Sequence, residues 1–299
     1  MTCTSLFCNT NLTPRRHQPL GEYLRARREL VTPDEVGLPT VGLRRVTGLR
    51  REEVALLAGM SADYYLRLEQ GRERNPSPQI LESLARVLGL DNAATAYLLG
   101  LVGAKTTRSR RKVRREHVLQ GIQKLLATLQ LPAFVEGRYF DVLASNPFAL
   151  ALSPRLAVGE NRLRAVFLEP SEQALYPDWD DATARLVAGF RASVGTDTDA
   201  PRLIELVGEL SLASERFRQL WARHDVQAQE GRPMTLDHPT VGQLSLNREK
   251  LAIDGGSGGL ILAIYHPDAG SDSAEKLALL ASYNATNENE RATRQQTGI

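Results

Sequence analysis

Cysteine is almost missing from this chain of 299 residues: Cys3 and Cys8 are the only two, both in the uncharged opening MTCTSLFCNT. A zinc site takes about four ligands, and the chain has no second pair to complete one. The two thiols read as incidental, with a redox switch as the alternative. The five histidines, His17, His117, His224, His238 and His266, form no HExxH and no other ligand spacing, so neither metal nor cofactor is expected. Long apolar runs are lacking too. Stretches such as YLLGLVGA (97–104) fall far short of the roughly 20 residues that cross a bilayer. The opening residues lack both a basic segment and a long apolar core, so no signal peptide is expected and a cytoplasmic location is the default. Catalytic signatures are missing as well: there is no nucleophile elbow, no metal triad, and no dinucleotide fingerprint after a strand. The glycine-rich DGGSGG (254–259) is not followed by Lys-Ser/Thr and leads into an apolar strand, so it reads as a hairpin connection, not a phosphate loop.

What is present is enough chain for two cores, with ordinary shares of charge (24%) and hydrophobic residues (42%). The charge is unevenly spread. Residues 1–115 carry 20 Lys and Arg against 11 Asp and Glu, a balance of +9; residues 116–299 carry 17 against 24, a balance of −7, and together these give the net +2. A basic half joined to an acidic half suggests one part that meets a polyanion and one that does not, although a basic face can also be merely solvated.

In the basic half, PLGEYLRARREL from Pro19 puts Leu20, Tyr23 and Leu24 on one side of a helix and Arg25, Arg27 and Arg28 on the other. The Pro- and Gly-bearing stretch 31–48 is a long connection. The segment EEVALLAGMSADYYLRLEQGR (52–72) then reads as helix, glycine stop at Gly59, Ser61 as N-cap, and a second helix ending at Gly71. Its Tyr65 and Leu68 face inward, and Ala62, Asp63, Leu66 and Arg67 face out. A fourth helix opens at Ser77-Pro78 and a fifth at Asp91. Two short helices at an angle across a tight turn form a helix-turn-helix, suited to the major groove, or an ordinary αα-corner.

The run EEVALLAGMS…YYLRLEQGRERNPSP resembles the XRE/Cro-type helix-turn-helix regulators, through Ala55, the turn Ala58-Gly59-Met60-Ser61, the inward Tyr65 and Leu68, and the exit Glu69-x-Gly71-Arg72. That resemblance implies a partner, double-stranded DNA, and candidate contacts. Arg51 opens the second helix, where the family contacts phosphate. Ala62, Asp63 and Leu66 lie on the face of the recognition helix, with Arg67 one turn along from its start, within reach of guanine O6/N7. Arg72 and Arg74 flank the exit as phosphate candidates. Asp63 departs from a phosphate-binding pattern, and can accept from cytosine N4 or pair with Arg67 at i,i+4. KTTRSRRKVRR (105–115), with seven cations in eleven residues, is a basic linker that can add phosphate contacts.

After Glu116 a helix, two strands around Glu136-Gly137, and a helix opened by Asn146-Pro147 are expected. Three helical stretches follow, bearing Phe190, then Leu203, Leu206 and Leu210, then Phe217, Leu220, Trp221 and His224 behind a Ser214 cap. The segments RPMTLDH, VGQLSLN, KLAID and GLILAIYH read as strands before a last helix, SAEKLALLASY, and a polar tail. EGRYFDVLASNPFALAL, LYPDWDD, LVGELSLASERFRQLWARHDV and HPTVGQLSLNREKL resemble the ligand-binding domain of the MmyB-like transcription regulators, a PAS-like fold. Some members hold a fatty-acid-like ligand, which implies a small apolar ligand here, with Trp179, Phe190, Phe217, Trp221 and His224 as candidate lining. For the two tryptophans and His224, a place in the core is the alternative.

The expected architecture is therefore a mainly α N-terminal helix-turn-helix domain of five helices (14–104), a basic linker (105–115) and an α+β PAS-like domain with an antiparallel sheet (116–283), between disordered tails (1–13 and 284–299). The expected function is a sequence-specific regulator, homodimeric and not an enzyme. The alternatives are a C-terminal domain that only dimerises, and an enzyme with a DNA-targeting module.

Overall fold

The computed structural model describes residues 19–39, 44, 46–73, 75–103, 116–228, 231–254 and 259–282. Cys3, Cys8, Arg74, the basic linker and both expected tails lie outside them.

Five helices make up the N-terminal part: α1 (Pro19–Leu30), α2 (Arg51–Leu57), α3 (Ala62–Glu69), α4 (Pro78–Val87) and α5 (Asn92–Gly103). Their ends are where local chemistry puts them. Ser61 Oγ accepts from the Tyr64 amide at 3.2 Å, Ser77 Oγ from Ile80 at 3.4 Å, and Asp91 Oδ1 from Ala94 at 2.8 Å. Each such cap stabilises its helix by about 1 kcal/mol. Between α2 and α3, Gly59 sits at φ 70°, a left-handed conformation that a Cβ would oppose. One apolar stripe from each helix meets in a single core, in which Tyr23, Leu24, Leu49, Val54, Tyr65, Leu68, Leu84 and Leu98 are buried.

The C-terminal part is α+β. Helix α6 (Gln120–Thr128) leads into β1 (Ala133–Glu136) and β2 (Val142–Ser145). Six helices follow: α7 (Pro147–Leu152), α8 (Arg162–Leu168), α9 (Pro170–Gln173), α10 (Trp179–Val194), α11 (Pro201–Ala213) and α12 (Glu215–Ala222). The chain then returns through β3 (Arg232–His238), β4 (Gly242–Ile253) and β5 (Leu260–His266) to a last helix at 272–282. The sheet order is β2-β1-β5-β4-β3, antiparallel throughout.

The expected strands VGQLSLN and KLAID are one strand, β4. Nothing between them breaks an extended chain, and Arg248 and Glu249 stay paired with Tyr265 and Ile264. The residues 255–258 of the expected hairpin connection lie outside the described ones, and β4 and β5 on either side pair antiparallel. All four residues of β1 are buried, because the sheet is covered on both faces. Ala133 and Val135 pack with Leu126 of α6, while Phe134 packs with Leu152 of α7 and with Tyr265. Asn146 ties these layers together. Its Oδ1 accepts from the amides of Ala133 (3.1 Å) and Ala149 (2.9 Å), and its Nδ2 donates to the Leu131 carbonyl (2.8 Å).

Candidate nucleic-acid interface and ligand site

Helix α3 is two-sided. Tyr65 and Leu68 are wholly buried, whereas Ala62, Asp63 and Arg67 are exposed and Leu66 is half-buried beside them. The four expected base-facing residues thus share one open face. Arg67 Nη1 donates to Asp63 Oδ2 at 2.8 Å, and its guanidinium lies 5.8 Å from the Tyr64 ring centre. An exposed i,i+4 pair contributes only about 0.3–0.5 kcal/mol, so a guanine edge or a phosphate can draw Arg67 away from it.

Arg51, at the start of α2, donates through Nε to Glu69 Oε2 at 2.7 Å, and the other Glu69 oxygen accepts from Arg28 Nε at 2.6 Å. Arg28 and Glu69 are buried while Arg51 is partly exposed. One buried carboxylate therefore links α1, the N-terminus of α2 and the C-terminus of α3, fixing the angle of the corner. Glu69 was legible only as part of the exit motif; its bond to Arg51 spans 18 positions and has no sequence signature. Arg44 adds a second brace, with Nη1 and Nη2 donating to the two oxygens of Glu53 at 2.7 and 2.8 Å. That contact holds the Glu53 carboxyl down at about 2. Arg72 is exposed on the exit turn.

In the C-terminal part, four of the five expected ligand residues come together. Phe217 stacks on Trp221 (centroids 6.0 Å, planes 9° apart), Trp221 lies 5.7 Å from Phe190, and Phe167 links Phe217 (5.2 Å) to Trp179 (6.1 Å). His224 stands apart. Helix α12 ends at Ala222, the His224 backbone is left-handed at φ 55°, and its ring lies edge-on to Tyr23 of α1, 6.2 Å away.

Beside the aromatics is a charged group that sequence reasoning missed. Glu136, at the end of β1 and 0% exposed, accepts from Arg162 Nη1 (3.0 Å) and Lys250 Nζ (2.6 Å), both also buried. Burial pushes the Glu136 carboxyl up, but attraction to Lys250 and Arg162 outweighs it and leaves the group at about 2. Burial takes Lys250 down to about 8 despite Glu136. Lys250 lies 5.0 Å from the Phe140 ring, and Phe140 is 5.3 Å from Phe190, so the charges border the aromatic cluster.

Residues 19–98 match a helix-turn-helix domain, and residues 118–280, more than half of the chain, match the MmyB-like transcription regulator ligand binding domain. The chain belongs to the MmyB-like transcription regulators. No curated relative matches it. The regulator is thus a DNA-binding head joined to a ligand-binding domain, in a family of transcription regulators and not of enzymes. Among the described residues, no helix of this regulator is long and apolar enough to cross a membrane, and no cluster of three or more His, Cys, Asp or Glu residues could hold a metal.

Proposed function

We propose that the regulator, acting in the cytoplasm, reads a roughly palindromic operator as a homodimer, and that an elongated apolar molecule with a polar end sets its activity. The observation that carries the first half is the two-sided α3: its inner face is locked into the core, while Asp63, Leu66 and Arg67 are presented outward. On this reading residues 14–104 form the head, 105–115 add phosphate contacts, and 116–283 sense and dimerise. Ala62, Asp63, Leu66 and Arg67 face base edges, and Arg51, Arg72 and Arg74 meet phosphates.

One small module makes too few base contacts for useful specificity, and dimeric helix-turn-helix proteins place half-sites about 10 base pairs apart, or a multiple of that. Light scattering with and without operator DNA should give the mass of two chains; one chain on an asymmetric site would refute the dimer. Arg67→Ala should lose discrimination worth about 1–3 kcal/mol. Arg51→Ala or Arg72→Ala should instead weaken all sequences alike and lower the salt slope by about one unit. An unchanged ratio of operator to scrambled-site affinity in Arg67→Ala would remove Arg67 from the base-reading set.

The ligand reading rests on the family's ligand-binding domain together with the apolar cluster of Trp179, Phe190, Phe217 and Trp221, which is bordered by the buried charges of Glu136, Arg162 and Lys250. His224, whose ring faces Tyr23 of α1, is left out of this lining. Burying ten methylenes would contribute about 8 kcal/mol gross, from which the cost of immobilising the ligand is subtracted. Native mass spectrometry followed by solvent extraction should reveal a carried lipid. An empty protein whose melting temperature ignores fatty acids of every length would leave the C-terminal domain as a dimerisation module.

A further inference from the structure

The two parts of the regulator share a core. Val226, which follows α12, is buried among the head's apolar residues, and Ala192 of α10 packs against them. Arg27 of α1 is ion-paired with Asp225, which also accepts from Arg223 at 2.8 Å. Tyr23 lies between Tyr97 of α5, 5.3 Å away, and His224. At the centre is Arg191, in the last turn of α10 and only 3% exposed. Among the described residues no carboxylate forms an ion pair with it. Its Nη2 donates to the Trp221 carbonyl at 2.6 Å, its guanidinium lies 3.8 Å from the Trp221 ring centre, and the Tyr97 side chain is near enough to favour its charge.

A buried cation without a paired carboxylate is costly, and a methionine or leucine would fill such a space without that cost. What the arginine provides is a link between the ring of Trp221, the Trp221 carbonyl in the last turn of α12, and the neighbouring Tyr97 side chain of α5. Trp221 in turn packs on Phe217 and Phe190, so its ring touches both the proposed ligand site and the cation. A chain that enters between these aromatics must displace the Trp221 ring. Arg191 then loses its platform and has to shift against Tyr97. Burial already lowers the Arg191 pKa, consistent with a guanidinium whose bonding leaves little to spare.

We propose that Arg191, gripped by Trp221 and Tyr97, is the joint through which the ligand domain sets the position of the DNA-binding head; the sensing half rests on the ligand reading above. Through this joint the ligand acts on α1 and α5, at the rear of the head, and alters DNA binding without touching α3. A shared residue between two sites is not yet coupling, so the test has to measure coupling itself.

The experiment is amide hydrogen exchange on the full chain, with and without dodecanoate, in wild type, Arg191→Lys and Tyr97→Phe. Arg191→Lys keeps the charge but loses the flat stack, and Tyr97→Phe removes a single hydroxyl, so it preserves packing if the lysine variant fails to fold. In wild type, dodecanoate should change exchange in α10–α12 and, by about tenfold, in α1 and α5, within the ordinary range of coupling. In the variants the α10–α12 response should persist while that of α1 and α5 falls to about a third or less, a loss set by the coupling given up. Equal α1 and α5 responses in all three proteins overturn the joint and leave the ligand reading intact. If dodecanoate changes nothing even in α10–α12, the ligand reading fails for this probe, and the joint is decided without ligand. Tyr97→Phe and Asp225→Asn must then speed exchange in α1 and α5 by about tenfold, as release of a local unit does, with the sheet as protected as in wild type. No such change overturns it.

Discussion

Gly21→Ala should destabilise the head by about 3 kcal/mol, at the upper end of what overpacking costs. In an isolated helix the same change gains about 1 kcal/mol, so the sign is decided by what the new methyl group meets. A Cβ on Gly21 would stand 2.2 Å from the Glu69 backbone carbonyl oxygen and 3.1 Å from that of Leu68. These are backbone atoms at the end of α3, with no rotamer to move aside. The strain would fall on the corner that Arg28, Glu69 and Arg51 hold together, so operator binding should fall with stability. Gly208→Ala on α11 is the control: its Cβ meets nothing within 4 Å, and it should gain roughly 0.5–1 kcal/mol. Urea unfolding of both variants checks the pair. A neutral Gly21→Ala would mean that α1 and α3 pack less closely than described.

Glu136→Gln should cost about 3–5 kcal/mol at pH 7, as removing one partner from a buried ion pair does. Of the two cations left behind, Lys250 can escape by losing its proton, since burial already holds it at about 8. Arg162 cannot. The cost should therefore fall toward the low end of that range, and Glu136→Gln with Lys250→Met should recover part of it. The pH dependence follows from the sign of the shift. The folded Glu136 pKa of about 2 lies below the ordinary value of about 4.3. The wild-type chain therefore has this contribution in full above about pH 5 and loses it as pH falls toward 2, a total of about 3 kcal/mol. The Gln variant should lack that component. The gap between the denaturant midpoints of the two proteins should be smaller at pH 3 than at pH 7; an equal gap at both would remove Glu136 as the ionised centre of the cluster.

The head was readable because its boundaries are local. Ser61, Ser77-Pro78 and Asp91 each cap the helix that follows, Gly59 bears the left-handed turn, and Tyr65 and Leu68 are buried as the spacing predicts. Ser214 caps α12 for the same reason. Helices α8 and α9 were missed; seven and four residues are too few to show a helical period. The merged β4 had no marker because only pairing with β5 makes it continuous. Glu136, Arg162 and Lys250 meet across separations of 26 and 114 residues, which no local pattern records. The His224 ring was assigned by extending the α12 period past the end of the helix: α12 ends at Ala222, and at the left-handed His224 the ring faces Tyr23.

The position of β5 in the middle of the sheet has a consequence for how the chain is made. Ala133 of β1 pairs with Ile264, so the first hairpin has no neighbouring strand until β5 has been made. Long-range pairing of this kind is slow to form. The head is in the opposite situation: every buried residue of its core except Val226 emerges by Leu101, and domains fold in order of synthesis. During each round of translation there is thus an interval when the helix-turn-helix head exists and the completed ligand-binding domain does not. A chain cut short between Ile253 and Leu260 would hold that interval open permanently, because without β5 the sheet is divided into two hairpins with nothing between them.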